Sequence, residues 1–315
     1  KVHFEYYEID NPKIRFKTEE IETIKKNGYV AKLIADQVAP GKKYKYEIFI
    51  NDLKVERDYV MEFQSQKLWK WRTDPPDVSF VIGSCSYVNE PQFDRPGKPY
   101  GNNFEIFNSI HSKNPDFMLW LGDNTYLREP DWNSRTGFIN RYSHTRALAE
   151  LQPLLASTHH YATWDDHDFG PNNSDGSFWL KETASEIFKL FWGNPNYDVT
   201  GKGGITGFFQ WGDLDFFLMD NRYHRTSNNN FTEDRQLLGK DQIDWLINAL
   251  SFSQAPFKFI AIGGQVLSSG AVYENYATYP EERKYLLDKI REAKIEGVIF
   301  LDGDRHHTVL SNMQE

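Results

Sequence analysis

The 315 residues include 36 Lys and Arg against 45 Asp and Glu, a formal charge of -9 with a pI near 5.5. That balance argues against broad binding to nucleic acid or anionic membranes, both of which need a basic footprint. Apolar residues at 39% allow a sizeable core, and no apolar run approaches the ~18 residues of a membrane span. Cys85 is the single cysteine, which rules out an intrachain disulfide and a cysteine-only zinc site.

In chain order, residues 1–74 come first. The stretches IRFKT, YVAKLIA, KYKYEIFI and DYVMEFQ alternate apolar and polar residues between turn signals, which predicts strands of a small β-sandwich. In VAPGKKYKYEIFIND a Pro-Gly turn precedes a Tyr-rich strand, and this resembles the fibronectin type III pattern, where a tyrosine ties down the preceding corner. LWKWRTDPPD then reads as a linker, with Trp69 and Trp71 expected to pack onto a neighbour. From 75 to 315 a second, α/β domain is expected. Its strands are predicted at 78–82, 117–121, 160–164, 215–219, 258–262 and 297–301. Helices are predicted between them, around Ile106, Phe107 and Ile110, around Ile243, Leu246, Ile247 and Leu250, and over 280–294. Short apolar runs alternating with helices imply a layered α/β fold with strands buried on both faces. The glycine-rich TGKGGITG lacks the Lys-Ser/Thr ending of a phosphate-binding loop and reads as a mobile loop.

The residues just past each strand carry the chemistry. The six runs lead in order into GSC, GDNTY, DDHD, DNRYHR, GGQ and DGDRHH. Ligand sites of open α/β sheets lie beyond the carboxyl ends of the strands, so these clusters can converge. Cys85 offers a thiolate and Tyr126 a phenolate. Asp123, Asp165, Asp166 and Asp304 offer carboxylates, and His167, His306 and His307 offer imidazoles. Thiolate and imidazole suit transition metals, while carboxylates suit Ca²⁺, Mg²⁺ or Mn²⁺. The mixture argues for two unlike metals sharing a bridging carboxylate, an arrangement that can clamp an in-line displacement at phosphorus. Arg222 and Arg225 carry the fork geometry that holds phosphoryl oxygens.

The blocks GSC, GDNTY, WDDHDFGPN, DNRYHR, LGKDQIDWL and GDRHH, in this order, resemble the PhoD-like alkaline phosphatase and phosphodiesterase family of the metallophosphatases, over roughly residues 78–310. The resemblance implies a metallophosphatase-type sandwich behind an N-terminal β-sandwich. It also implies Fe³⁺ with one or two Ca²⁺, or Zn²⁺, Mn²⁺ or Mg²⁺ instead, acting on phosphate mono- or diesters through a metal-activated hydroxide. By motif, Cys85, Asp123, Tyr126 and His306 would hold the iron, His307 competing for the place of His306. Asp123 would bridge to the calcium, with Asp166 and Asp304 beside it. Asp165, Asn172 and Gln265 would be supporting groups or ligands of an additional calcium. His167 would contact substrate and protonate the leaving oxygen, and Arg222 and Arg225 would bind phosphate. Asp168 is left out of the chemistry.

The resemblance also implies a periplasmic or secreted enzyme. The chain begins at Lys1, so a leader is expected to have been removed. It ends at Glu315 soon after GDRHH, so strands that would cover that edge are expected to be missing or to lie on a separate fragment. The substrate would be a small or polymeric phosphate ester, selected by the loops 86–103 and 221–236; nothing in the sequence reads out an oligomeric state. Two rivals are an inactive phosphatase-fold binding protein and a metallohydrolase of another ester, such as sulfate. Retention of every expected ligand block argues against the first.

Overall fold

A computed structural model of the chain describes residues 1–94, 96–97, 100, 103–231 and 234–312. Residues 95, 98–99 and 101–102 of the loop 86–103, residues 232–233 of the loop 221–236, and residues 313–315 lie outside the described residues.

The N-terminal strands are β1 (Val2–Glu8), β2 (Phe16–Lys17), β3 (Lys43–Ile50), β4 (Leu53–Val55) and β5 (Glu62–Gln64). They form one antiparallel sheet in the order β2-β1-β3, with β4 and β5 both pairing β3. The expected two-sheet sandwich is therefore reduced to a single sheet among the described residues. The cause lies in the YVAKLIA stretch, which enters no ladder. The chain after it is pinned by tyrosines instead: Tyr6 Oη accepts from the Gln37 N–H at 3.0 Å, and Tyr44 Oη from the Ala39 N–H at 2.7 Å. Other polar groups of the sheet and its flanking chain turn to the rest of the molecule. Tyr46 Oη donates to the Ala156 carbonyl and Tyr59 Oη to Gln152 Oε1, both at 2.9 Å. Trp71 is 90% exposed rather than packed.

The six predicted strands of the second region form within two residues of their apolar runs. They are β6 (Phe80–Gly83), β7 (Phe117–Leu121), β8 (His159–Thr163), β10 (Leu214–Leu218), β11 (Phe257–Ile262) and β12 (Val298–Asp302). A seventh, β9 (Gly207–Trp211), pairs antiparallel with β10 across a two-residue turn. β6-β7-β8 make one parallel sheet, and β12-β11-β10-β9 another whose only antiparallel member is β9. The helices are α1 (Glu105–His111), α2 (Arg135–Arg146), α3 (Gln152–Ser157), α4 (Asp166–Phe169), α5 (Lys181–Phe191), α6 (Lys240–Phe252) and α7 (Pro280–Glu292).

The two-residue period of a strand decides which side chains go where. Phe117, Leu119 and Leu121 share one core with Phe209, Trp211, Phe216, Leu218, Phe259 and Ala261, so the two sheets stack face to face. The Phe117 ring meets Phe216 edge-on at 5.3 Å and Phe209 at 5.6 Å, the arrangement that ring quadrupoles favour. The alternate residues Met118 and Trp120 face outward and pack with Phe138, Tyr142, Ile187 and Phe188 of α2 and α5. On the other side Phe217, Ile260 and Ile262 pack with Ile243, Leu246 and Leu250 of α6 and Leu286 of α7. The result is a four-layer sandwich, helices on sheet on sheet on helices, with the carboxyl ends of β6, β7, β8, β10, β11 and β12 leading into the six polar clusters. Among the described residues, no helix is long and apolar enough to cross a membrane.

Candidate metal centre

Asp123, two residues past β7, is the hub. It adopts φ +51° and is 2% exposed. The ladder between β6 and β7 continues beyond the strands: the Cys85 N–H donates to the Gly122 carbonyl at 3.1 Å and the Ser86 N–H to the Asp123 carbonyl at 2.8 Å. This sets Cys85 Sγ 3.8 Å from Asp123 Oδ2, and Tyr126 Oη donates to the same oxygen at 3.4 Å. The His167 N–H donates to Asp123 Oδ1 at 3.2 Å. Cys85, Asp304 and His306 also have positive φ, at 58°, 71° and 51°. Left-handed backbone is uncommon for residues with a side chain, and it clusters at functional sites.

Two groups of ligand atoms meet here. Asp123, Asp166 and His167 form one and Asp123, Asp165 and Asp304 the other, each with its atoms within 4.8 Å of one another. Asp123 belongs to both. Asp165 itself is squeezed between the sheets. A Cβ on Gly122, which has φ +92°, would come within 2.7 Å of Asp165 Cβ, and a Cβ on Gly263 within 2.7 Å of its Cγ. Both places require glycine for Asp165 to sit between β7 and β11.

Several atoms of these groups are buried without any hydrogen-bond partner: Asp165 Oδ2, Asp304 Oδ2 and His167 Nδ1, with Asn221 Oδ1 close by. Asn221 is tied to Asp165 by its own amide, whose nitrogen donates to Oδ1 at 2.8 Å. Buried acceptors left without donors are costly, and a cation satisfies several at once. The electrostatics agree. Burial first, then Asp166, Asp165 and Asp168, hold the Asp123 carboxyl well above the usual carboxylate range. Burial would raise Asp166 too, but Arg222 and then His167 more than offset it and keep it below its ordinary value. Burial pushes Asp165 up to about 7 against the pull of Arg222, and the Cys85 thiol up to about 12, with Asp123 adding to the latter. Burial likewise lowers His167, whose ring stacks on Tyr126 at 4.4 Å. Asp166 apart, the carboxyls, the phenol and the thiol resist ionisation here, and such a set of donors fits bound cations.

Residues 193–315 match the PhoD-like phosphatase family. That stretch is PhoD-like. Over 329 residues the chain is 22% identical to alkaline phosphatase D of Bacillus subtilis (strain 168), an alignment covering 89% of the chain and 53% of that protein. It thus spans about half the length of the curated relative it matches. Its fold is similar to the solved structure of PhoD, with a TM-score of 0.78 at 19% identity, over 97% of this chain and 65% of that one. It is also similar to the purple acid phosphatase PPD1 from yellow lupin (Lupinus luteus) seeds, with a TM-score of 0.59 at 13% identity, over 95% and 53% of the two chains. The matched stretch 193–315 contains Arg222, Arg225 and Asp304 but not Cys85, Asp123, Asp165 or Asp166, whose convergence rests on geometry.

The fold brings Cys85, Asp123, Tyr126, Asp165, Asp166, His167 and Asp304 together. His306 and His307 are exposed on the turn after Asp304 and stand apart from both groups. Asn172 is exposed too, and the Gln265 carbonyl is taken by the Tyr276 N–H at 2.9 Å. Arg222 is fully buried and committed: its Nε donates to Asp165 Oδ1 at 2.5 Å, and its Nη1 and Nη2 donate to Glu274 Oε1 and Oε2 at 3.1 and 2.9 Å. Arg225, 2% exposed, reaches Glu274 Oε1 at 2.9 Å and Asn228 Oδ1 at 2.7 Å, while its Nε and Nη1 have no acceptor.

Glu274 went unseen in the sequence, since it lies in an ordinary-looking AVYENYATYP loop with no motif around it. Asp220 carries a structural load that its DNRYHR block did not disclose. It accepts from Trp164 Nε1 at 2.7 Å and from the N–H groups of Ile205, Arg222 and Tyr223, each at 2.9 Å. The Ile205 bond, with Asp198 Oδ1 accepting from Lys202 N–H at 2.9 Å and Gly203 N–H at 2.8 Å, ties down the glycine-rich loop that read as mobile. Asp168 acts as a brace, its carboxylate accepting the N–H groups of Asn124, Thr125 and Asp165 at 3.2, 2.9 and 3.1 Å.

The buried carboxyls give the cation-free protein a pH dependence. Burial raises Asp165 to about 7 and Asp168 to about 8 from an ordinary 3.8, against backbone donors in the case of Asp168. An acid whose pKa rises on folding holds its proton more tightly in the native chain. The native state therefore loses stability as pH climbs from the unfolded value through the raised ones. In EDTA the unfolding temperature should fall between about pH 5 and about pH 8, and added Ca²⁺ should flatten that fall by taking the proton's place. A midpoint that rises across this window in EDTA would contradict the assignment.

Proposed function

We propose that the chain is a metal-dependent hydrolase of phosphate mono- or diesters, with Fe³⁺ and Ca²⁺ as its cations. The observation that carries this reading is the sharing of Asp123 by two ligand groups at the strand ends, each with buried acceptors that lack donors. Likeness to alkaline phosphatase D and to a purple acid phosphatase supports the reaction class. Cys85 and Tyr126 with Asp123 would hold the softer, trivalent cation; Asp165, Asp166 and Asp304 with Asp123 would hold the harder, divalent one. Bound there, the cations would supply an activated water and Lewis-acid charge for the phosphoryl group.

The chain's own side chains have separable tasks in this proposal. Arg225, with Nε and Nη1 lacking acceptors, would take phosphoryl oxygens. Arg222, committed to two carboxylates, would hold the site in shape. His167 is held below its usual pKa by burial, which suits accepting a hydrogen bond or holding a cation better than donating a proton. We read residues 1–74 as a separate unit docked on a catalytic unit of residues 75–315, and the enzyme as secreted or periplasmic.

Metal analysis with absorption spectroscopy tests the assignment. Thiolate and phenolate on Fe³⁺ give visible charge transfer, which should weaken and shift in Cys85→Ala and vanish in Cys85→Ala combined with Tyr126→Phe, while the iron-free protein stays colourless. A colourless, zinc-only active enzyme would overturn the choice of metals. Turnover of bis-nitrophenyl phosphate and nitrophenyl phosphate, beside none of nitrophenyl sulfate, separates the phosphoester reading from the sulfate one.

A further inference from the structure

Arg222 has five N–H donors, and nothing in its own position stops its fork from closing on both oxygens of Asp165. It does not do so. Nε and Nη2 both reach Oδ1, and no donor reaches Oδ2. The other edge of the guanidinium is held elsewhere: Nη1 and Nη2 donate in parallel to the two oxygens of Glu274 at 3.1 and 2.9 Å, and Nη1 also to the Ser174 carbonyl at 3.2 Å. Glu274 is 5% exposed and lies in the loop between β11 and α7, remote in sequence from every ligand. Its place is fixed independently of Arg222, because Oε1 also contacts Arg225 Nη2 and accepts from Asn228 Nδ2, each at 2.9 Å. Asn228 Oδ1 in turn accepts from Arg225 Nη2 at 2.7 Å and Tyr279 Oη at 2.9 Å.

We propose that Glu274 is a positioning residue for the metal centre, holding the guanidinium of Arg222 turned away so that Asp165 Oδ2 stays free for a cation. The proposal deepens the metal-dependent reading above, but it concerns cation affinity and stands or falls without turnover. The chemistry is one of competition. The guanidinium presents two edges: Glu274 takes the Nη1/Nη2 edge, and that anchorage fixes where the Nε/Nη2 edge meets Asp165, at Oδ1 alone. If Glu274 is removed, the guanidinium can shift until Nε and Nη2 take one oxygen of Asp165 each, and a cation must then compete with a guanidinium already in place.

Mn²⁺ binding to the chelator-stripped full chain, followed by its EPR signal or by calorimetry, tests this. Glu274→Ala should weaken Mn²⁺ binding about 10–100-fold, the usual effect of losing a group that orients a metal ligand. Glu274→Gln keeps a carbonyl for one guanidinium nitrogen and should fall in between. It also serves as the readable variant if Glu274→Ala fails to fold, as circular dichroism would show. The deciding sample is Glu274→Ala combined with Arg222→Met. With no guanidinium left to close on Asp165, adding Glu274→Ala to Arg222→Met should weaken Mn²⁺ binding much less than it does in the wild type, a non-additivity that a structural role independent of Arg222 cannot give. Wild-type affinity in Glu274→Gln and Glu274→Ala, or an equal loss from Glu274→Ala in both backgrounds, would overturn the proposal. A wild type that binds Mn²⁺ but hydrolyses no phosphoester would overturn the proposed function and leave this inference intact.

Discussion

Asp123→Asn is expected to abolish hydrolysis of bis-nitrophenyl phosphate, a fall of at least about 10³, while making the cation-free protein more stable. The first effect follows from Asp123 belonging to both ligand groups, so that losing its charge weakens both cation positions at once. Two such cations are worth several kcal/mol of transition-state stabilisation, and each ~1.4 kcal/mol is a factor of ten in rate. The second effect has the opposite sign because Asp123 is almost fully buried and faces Asp166, Asp165 and Asp168. Asparagine keeps an oxygen able to accept from the His167 N–H and removes the repulsion. Function and stability trade against each other at such sites. Initial rates with saturating cation, and urea unfolding in EDTA, check both halves. Retained turnover, or a less stable variant, would refute this account of Asp123.

Arg222→Met should produce the largest loss of stability. Arg222 is fully buried and joins Asp165 to Glu274, so its removal strands two buried carboxylates. Breaking a buried pair from one side typically costs about 3–5 kcal/mol, far more than the pair is worth against an apolar replacement. Urea unfolding should show that loss in EDTA and a smaller one with cation present, since a cation partly substitutes for the missing guanidinium beside Asp165. Removing Glu274 as well should return some of the lost stability, because one stranded charge goes with it. A loss under about 1 kcal/mol, the range of exposed pairs, would mean that the Arg222 network contributes little.

The proposed ligand positions could be picked out because each lies close behind an apolar run, and the runs formed strands with little shift in register. Strand ends are local facts. Glu274 is a tertiary fact: a glutamate in a loop of no particular pattern, whose role depends on two arginines some fifty positions away. Arg222 was found but read as facing substrate, since a sequence does not show that both sides of a guanidinium are taken. α2 was missed for a related reason. It buries Arg141, held by Asp131 at 2.8 Å, and so lacks the apolar periodicity that marks a helix. β9 escaped notice because its GFFQW run sits behind a glycine-rich stretch that reads as loop. In the N-terminal region alternation announced strands correctly but not how many sheets they would make, because a strand's partner is not encoded in its own period.

The stacking of two sheets, each giving up part of the site at its strand ends, has a consequence for the order of assembly. Cys85 and Asp123 belong to one sheet and Asp304 to the other, while Asp165 is wedged at the seam between them. Asp123, Asp166 and His167 all follow strands of the β6-β7-β8 sheet, whereas the group of Asp123, Asp165 and Asp304 draws on both sheets. A cation at that second group would not nucleate the chain, because the long loops between these residues must already be closed before it gains Asp304. It would act as a late latch that slows unfolding far more than it speeds folding, its uptake reporting that both halves of the sandwich have met in register.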